Sequence, residues 1–106
     1  MSVIVELSLF PLGQGESVGP AVAQAVEIIR ASGLPHQLGP MGTCIEGGYD
    51  EVMAVVGRCF KALEAGHGRV YMTLKVDARA GRDNGLTRKT AAVERRLDHT
   101  QPRNEP

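Results

Sequence analysis

The feature that most narrows what this chain can fold into is the order of two hydrophobic periodicities. Residues 3 to 10 place Val3, Val5, Leu7 and Leu9 on one parity and Ile4, Glu6, Ser8 and Phe10 on the other. Residues 69 to 78 alternate again, with Val70, Met72, Leu74 and Val76 against Tyr71, Thr73, Lys75 and Asp77. Successive strand residues project to opposite faces, so each segment predicts a strand with one apolar face. Between them the spacing changes. Val18, Val22, Ala25, Val26 and Ile29 recur as one stripe of a helix over 18 to 32, and Val52, Val55, Val56, Cys59 and Leu63 form a second stripe ending before Gly66.

The breaks agree with this division. Pro11-Leu12-Gly13-Gln14-Gly15 ends the first strand, Ser17 is placed to cap the first helix, and Pro20 falls in the first turn, where its missing N–H costs nothing. Gly33 and Pro35 stop that helix. Residues 36 to 39 and 42 to 46 read as short strands joined at Gly39-Pro40-Met41-Gly42, and Asp50 is a candidate cap for the second helix. The resulting order, β-α-β-β-α-β, is the split-βαβ pattern: a ferredoxin-like α+β sandwich with both helices on one face of a four-stranded antiparallel sheet. Leu86, Thr90, Val93 and Leu97 share a face of a short C-terminal helix, so a single domain is expected over 1–97. Residues 98–106, with two prolines and no apolar side chain, are expected to form a flexible polar tail.

Composition excludes several roles. Twelve Lys and Arg balance twelve Asp and Glu, leaving no excess charge for a phosphate backbone or an anionic membrane. The RNA-recognition module shares the same element order, but here Tyr71 and Phe10 would supply its stacking surface without a basic surround. No nucleic-acid or membrane partner is expected. The apolar run from Val3 to Phe10 is too short to span a bilayer, and Cys44 and Cys59 are too few for a disulfide framework, so a cytoplasmic protein with reduced thiols is expected. His36, His67 and His99 lie in different segments and the cysteines lack paired spacing, so neither a metal nor another cofactor is expected.

Candidate chemistry concentrates in Pro40-Met41-Gly42-Thr43-Cys44-Ile45-Glu46-Gly47-Gly48. Glycines admit close backbone approach, Thr43 donates and accepts hydrogen bonds, and Glu46 supplies an anion. Cys44 has no base placed to activate it and reads as a strand residue. Glu6, Glu46 and Asp77 fall near one end or face of the sheet, where carboxylates can recognise amino groups, while Lys75 is placed to neutralise Glu6 across strands. The sheet face opposite the helices would show Glu6, Ser8, Tyr71, Thr73, Lys75 and Asp77 with Ile4 and Phe10, a mixture suited to pairing with another subunit. Three roles stay open on the residues alone: a small-molecule binder, a structural or regulatory oligomer, and a small enzyme with Glu46 or Asp77 as base.

A resemblance bears on the choice. Ser32-Gly33-Leu34, then Pro40-Met41-Gly42-Thr43 and Ile45-Glu46-Gly47, then Asp50-Glu51-Val52, with Lys75-Val76-Asp77 and Arg79-Ala80-Gly81 further on, resemble the signature of the thiamine-binding protein family. The resemblance spans residues 3 to 97 and implies a ferredoxin-like fold. It also implies non-catalytic binding of thiamine or its hydroxymethylpyrimidine moiety, and a homodimer or homotetramer joined through sheet faces or edges. Carried onto this sequence, it points to Ser17, Thr43, Glu46, Asp77 and Arg79 as ligand-binding residues, with Glu6 and Lys75 as further candidates. The helix start near Ser17 is also placed to hold an anionic group.

Overall fold

A computed structural model describes residues 2–13, 18–81, 86, 93, 94, 96 and 97. The elements follow as β1 (Val3–Pro11), α1 (Gly19–Ala31), β2 (His36–Leu38), β3 (Thr43–Gly47), α2 (Tyr49–Gly66) and β4 (Val70–Ala78). They form the expected α+β arrangement, a four-stranded sheet in the order β2-β3-β1-β4 with every neighbouring pair antiparallel. Leu86, Val93, Glu94, Arg96 and Leu97 have helical backbone. The rest of the expected C-terminal helix, and the tail at 98–106, lie outside the described residues.

The register assigns the faces. Val5 lies opposite Ile45 on one side and Val76 on the other, and Leu7 opposite Thr43 and Leu74. This parity turns toward the helices, and Val3, Val5, Leu7, Leu9 and Ile45 join Ala21, Ala25 and Ile29 of α1 and Val52, Val55, Val56, Cys59 and Leu63 of α2 in one core. All five predicted positions of the α2 stripe are buried. Removing such side chains from water is the main drive for the two-layer packing, at roughly 25 cal/mol per Å² of apolar surface.

Four local expectations are corrected. The N-cap of α1 is Val18, one residue later than expected and with no side-chain capping bond; Ser17 lies outside the described residues. Gly48 is the N-cap of α2, and Asp50 instead sits with Glu51 in the first turn, where a carboxylate meets the positive end of the helix. Along α1 the buried residues are Ala21, Ala25 and Ile29, whereas Val18, Val22 and Val26 are half-buried. On β4, Met72 and Val76 share the helix-side parity but remain 38% and 45% exposed. The strand is an outer edge of the sheet, and only its Val70 and Leu74 pack against the core.

Cys59 lies wholly inside, its thiol directed at the carbonyl of Ala25 at 3.5 Å, which ties α2 to α1. Burial disfavours the thiolate and pushes its pKa from 9.0 up to about 11. Between those values the unfolded chain has released a proton that the folded chain retains, so this thiol's contribution to stability falls as pH rises. The loss approaches roughly 2 to 3 kcal/mol once both states are ionised. Cys59→Ala removes this component. In urea unfolding, the stability gap between the native protein and Cys59→Ala should narrow from pH 9 to pH 11, and a constant gap would reject the buried neutral thiol.

Candidate functional site

Sheet parity decides which of the candidate residues can meet. Thr43 and Glu46 stand three positions apart on β3, so they project to opposite faces. Thr43 faces the helices beside Leu7, and Glu46 lies on the other face beside Ile4. The two ligand-binding candidates on β3 therefore stand on opposite faces of the sheet.

On the face away from the helices, Ile4 is flanked in one row by Glu46 on β3 and Asp77 on β4. The two carboxylates are thus two strand spacings apart, roughly 9 to 10 Å between backbones. Glu46 is only 4% exposed and accepts a hydrogen bond from the Ser2 hydroxyl at 3.2 Å. In the next row Glu6 lies between Cys44 and Lys75, and the Lys75 ammonium comes to 3.8 Å from its carboxylate. That pair is the cross-strand neutralisation expected from the sequence, and at this exposure it contributes about 0 to 1 kcal/mol. Further along, Phe10 and Tyr71 face each other with ring centroids 5.7 Å apart. Arg79 follows β4 and is exposed. Among the described residues, no three His, Cys, Asp or Glu side chains converge in a way that could hold a metal ion.

On the helix side the sheet carries a cleft of about 340 Å³ between α1 and the β2–β3 hairpin. Val18, Val22 and Val26 form its α1 wall, Leu38, Pro40 and Met41 its hairpin wall, and Leu7, Leu9 and Thr43 lie along its floor. The residues of α1 that line the cleft are Val18, Val22, Ala25, Val26 and Ile29, with no leucine or aromatic ring among them to fill the gap.

The turn closing the hairpin depends on two glycines. The Gly39 N–H donates to the Gly42 carbonyl at 2.9 Å, and a Cβ at Gly39 would lie 2.9 Å from that same oxygen. A Cβ at Gly42 would lie 3.1 Å from the Leu7 carbonyl and 3.2 Å from Cγ of Glu6. Glycine thus brings the hairpin close enough to β1 to place Thr43 on the cleft floor.

Thr43 is 5% exposed, and its hydroxyl has no hydrogen-bond partner among the described residues. A buried hydroxyl without a partner costs about 1 to 3 kcal/mol, a deficit that a molecule in the cleft can relieve. None of the described side chains lining the cleft is titratable, and Thr43 and Ser8 are the hydroxyl-bearing residues among them. The arrangement can therefore bind and orient, with few polar contacts in a mainly apolar slot.

The sequence reading found Thr43 but not the α1 and hairpin walls. Their signal was present in the runs of Val and Ala on α1 and in the two apolar residues, Leu38 and Met41, that flank the turn and stand 63% and 85% exposed.

Comparison with known proteins places these features in context. Residues 5–94 match the sequence profile of the family described as thiamine-binding protein. The UPF0045 protein Mb1933 of Mycobacterium bovis is 49% identical over 98 residues, covering 92% of this chain and 96% of that protein. The crystal structure of hypothetical protein MJ1052 from Methanocaldococcus jannaschii superposes with a TM-score of 0.82 at 32% identity, over 88% of this chain and 96% of that one. TM0486 from Thermotoga maritima superposes with a TM-score of 0.75 over 86% of this chain and 99% of that one; at 24% identity this likeness carries the fold alone.

Proposed function

This chain belongs to the thiamine-binding protein family, and we propose that it binds, without transforming, a small heterocycle of the thiamine or hydroxymethylpyrimidine type in the cleft between α1 and the hairpin. The observation that carries this reading is the buried Thr43, whose hydroxyl has no partner among the described residues, on the floor of a slot lined mainly by apolar side chains. A planar nitrogen heterocycle suits such a slot, because its faces pack on Val22, Val26 and Met41 while one ring nitrogen or amino group pairs with the hydroxyl. At about 340 Å³ the cleft lies near the lower end of the roughly 300–1,000 Å³ typical of small-molecule sites. The absence of titratable side chains from its lining supports binding over catalysis. Among the described residues no helix is long and apolar enough to cross a membrane. Neither Cys44 nor Cys59 is in a disulfide, which supports a reducing, cytoplasmic setting.

Glu46, Asp77, Glu6, Lys75 and Arg79 take a different part in this reading. They lie on the far face of the sheet or at the end of its outer strand, where they shape contacts between subunits and do not touch the ligand. β4 favours assembly. It is nine residues long, has no strand on its outer side among the described residues, and exposes Tyr71, Met72 and Val76. A long edge with apolar side chains is a template for pairing with another chain, and a second copy would cover it.

Isothermal titration with thiamine and with hydroxymethylpyrimidine tests the site. Thr43→Val preserves shape, so the unliganded protein should be as stable as the native one or about 1 kcal/mol more so. Its affinity should fall roughly 5- to 30-fold. Glu46→Gln should leave affinity unchanged. Saturable binding that responds to Glu46→Gln and ignores Thr43→Val would move the site to the other face, and no binding of either compound would remove the reading. For assembly, Met72→Lys combined with Val76→Lys should lower the mass measured by light scattering; an unchanged oligomer would rule out the β4 edge as the joint.

A further inference from the structure

The floor of the same cleft runs past the end of β3. The pairing of β3 with β1 stops at Leu7↔Thr43, while β1 continues against β4 as far as Pro11. On the β3 side, residues 8 to 11 therefore form a strand edge with no neighbouring strand among the described residues. Ser8, Leu9 and Phe10 line the cleft. By strand parity the side chains of Ser8 and Phe10 take the face away from the helices, so it is the edge of the strand that borders the cleft there.

The direction of the main chain along that edge is fixed. The Leu12 N–H donates to the Arg69 carbonyl at 2.9 Å, which continues the β1–β4 register and turns the N–H and C=O groups of the even-numbered residues toward β4. Those of the odd-numbered residues then point toward β3. Two observations agree. The Leu7 carbonyl lies 3.1 Å from where a Cβ on Gly42 would stand, and Pro11, which has no N–H to leave unpaired, falls on the same parity. Val3, Val5 and Leu7 meet Gly47, Ile45 and Thr43. At Leu9 the series loses its partner: neither the N–H nor the C=O has a hydrogen bond among the described residues. Leu9 is only 6% exposed, so water has little access to the pair. Buried main-chain groups are almost always paired, and a donor and an acceptor left open side by side in a cleft are a place for a ligand.

We infer that the N–H and C=O of Leu9 read the hydrogen-bonding edge of the ligand, and that the occupant carries an amino group on the carbon next to a ring nitrogen. The ring nitrogen accepts from the Leu9 N–H and the amino group donates to the Leu9 carbonyl, in the place where the next strand of the sheet would pair. Hydroxymethylpyrimidine has such an edge. Thr43 stands opposite Leu7, two residues along β1 from Leu9, and its hydroxyl takes a further polar atom of the same ring. This inference rests on the reading of the cleft as the binding site and names the edge of the ligand that the site selects.

The test combines amide hydrogen exchange, followed by NMR, with isothermal titration of the full chain, using hydroxymethylpyrimidine and its analogue without the amino group. In the free protein the Leu9 N–H should exchange at least about 100-fold faster than those of Ser8 and Phe10, which pair with β4. Saturating hydroxymethylpyrimidine should slow Leu9 at least about tenfold more than it slows those neighbours. Loss of the amino group should weaken binding roughly tenfold. Thr43→Val should weaken both compounds and gauges the cleft separately. Protection of Leu9 equal to that of its neighbours in the free protein would overturn the inference, because the pair would already be satisfied. Equal affinities for two compounds that both weaken in Thr43→Val would overturn it while leaving the cleft reading in place. If neither compound binds, the two fall together.

Discussion

Everything else in this molecule depends on the double pairing of β1. The strand hydrogen-bonds to β3 on one side and β4 on the other, over the registers Val3↔Gly47 to Leu7↔Thr43 and Val3↔Ala78 to Pro11↔Val70. A slip by one residue would exchange the faces, sending Val5 and Leu7 to solvent and Glu6 into the helices. The register is held because its alternative buries a carboxylate and exposes the core. Once it is set, every residue of β3 and β4 is committed to one face. The chemistry divides accordingly, with Glu6, Glu46, Lys75 and Asp77 on the face away from the helices and Thr43 among mainly apolar residues beneath α1.

The cleft follows from how the helices cover that sheet. α2 brings Val52, Val55, Val56, Cys59 and Leu63 down onto the strands. α1 presents smaller side chains at the corresponding depth, and its half-buried valines face the hairpin across a gap. Replacing Thr43 with an apolar isostere should stabilise the empty protein, as expected of a hydroxyl that serves the proposed ligand.

Much of this was legible in the residues. The alternations at 3 to 10 and 69 to 78 are unbroken and the α2 stripe is regular, so the element order and the fold class follow from periodicity alone. The burial of Cys59 and the Glu6–Lys75 pair followed from the same spacing. The site was harder. Proximity in sequence grouped Thr43 with Glu46, although an odd interval on a strand sets them on opposite faces, and counting parity would have separated them. The caps were misread because Ser17 and Asp50 are good capping residues by type, whereas the backbone turns at Val18 and Gly48. Met72 and Val76 looked like core because alternation reports which face a side chain takes. Whether a helix covers that face depends on β4 being an edge, which is a property of topology.

The central claim is that the ligand enters on the helix side of the sheet. A titration of the isotopically labelled protein with thiamine, followed by amide proton–nitrogen correlation spectra, addresses it residue by residue. The account predicts that the largest shifts gather at Leu7 to Leu9, Val18 to Val26 and Leu38 to Thr43, with Ile4, Glu46 and Asp77 little changed. Shifts concentrated instead at Glu46, Lys75 and Asp77, with Val22 and Met41 unmoved, would contradict it.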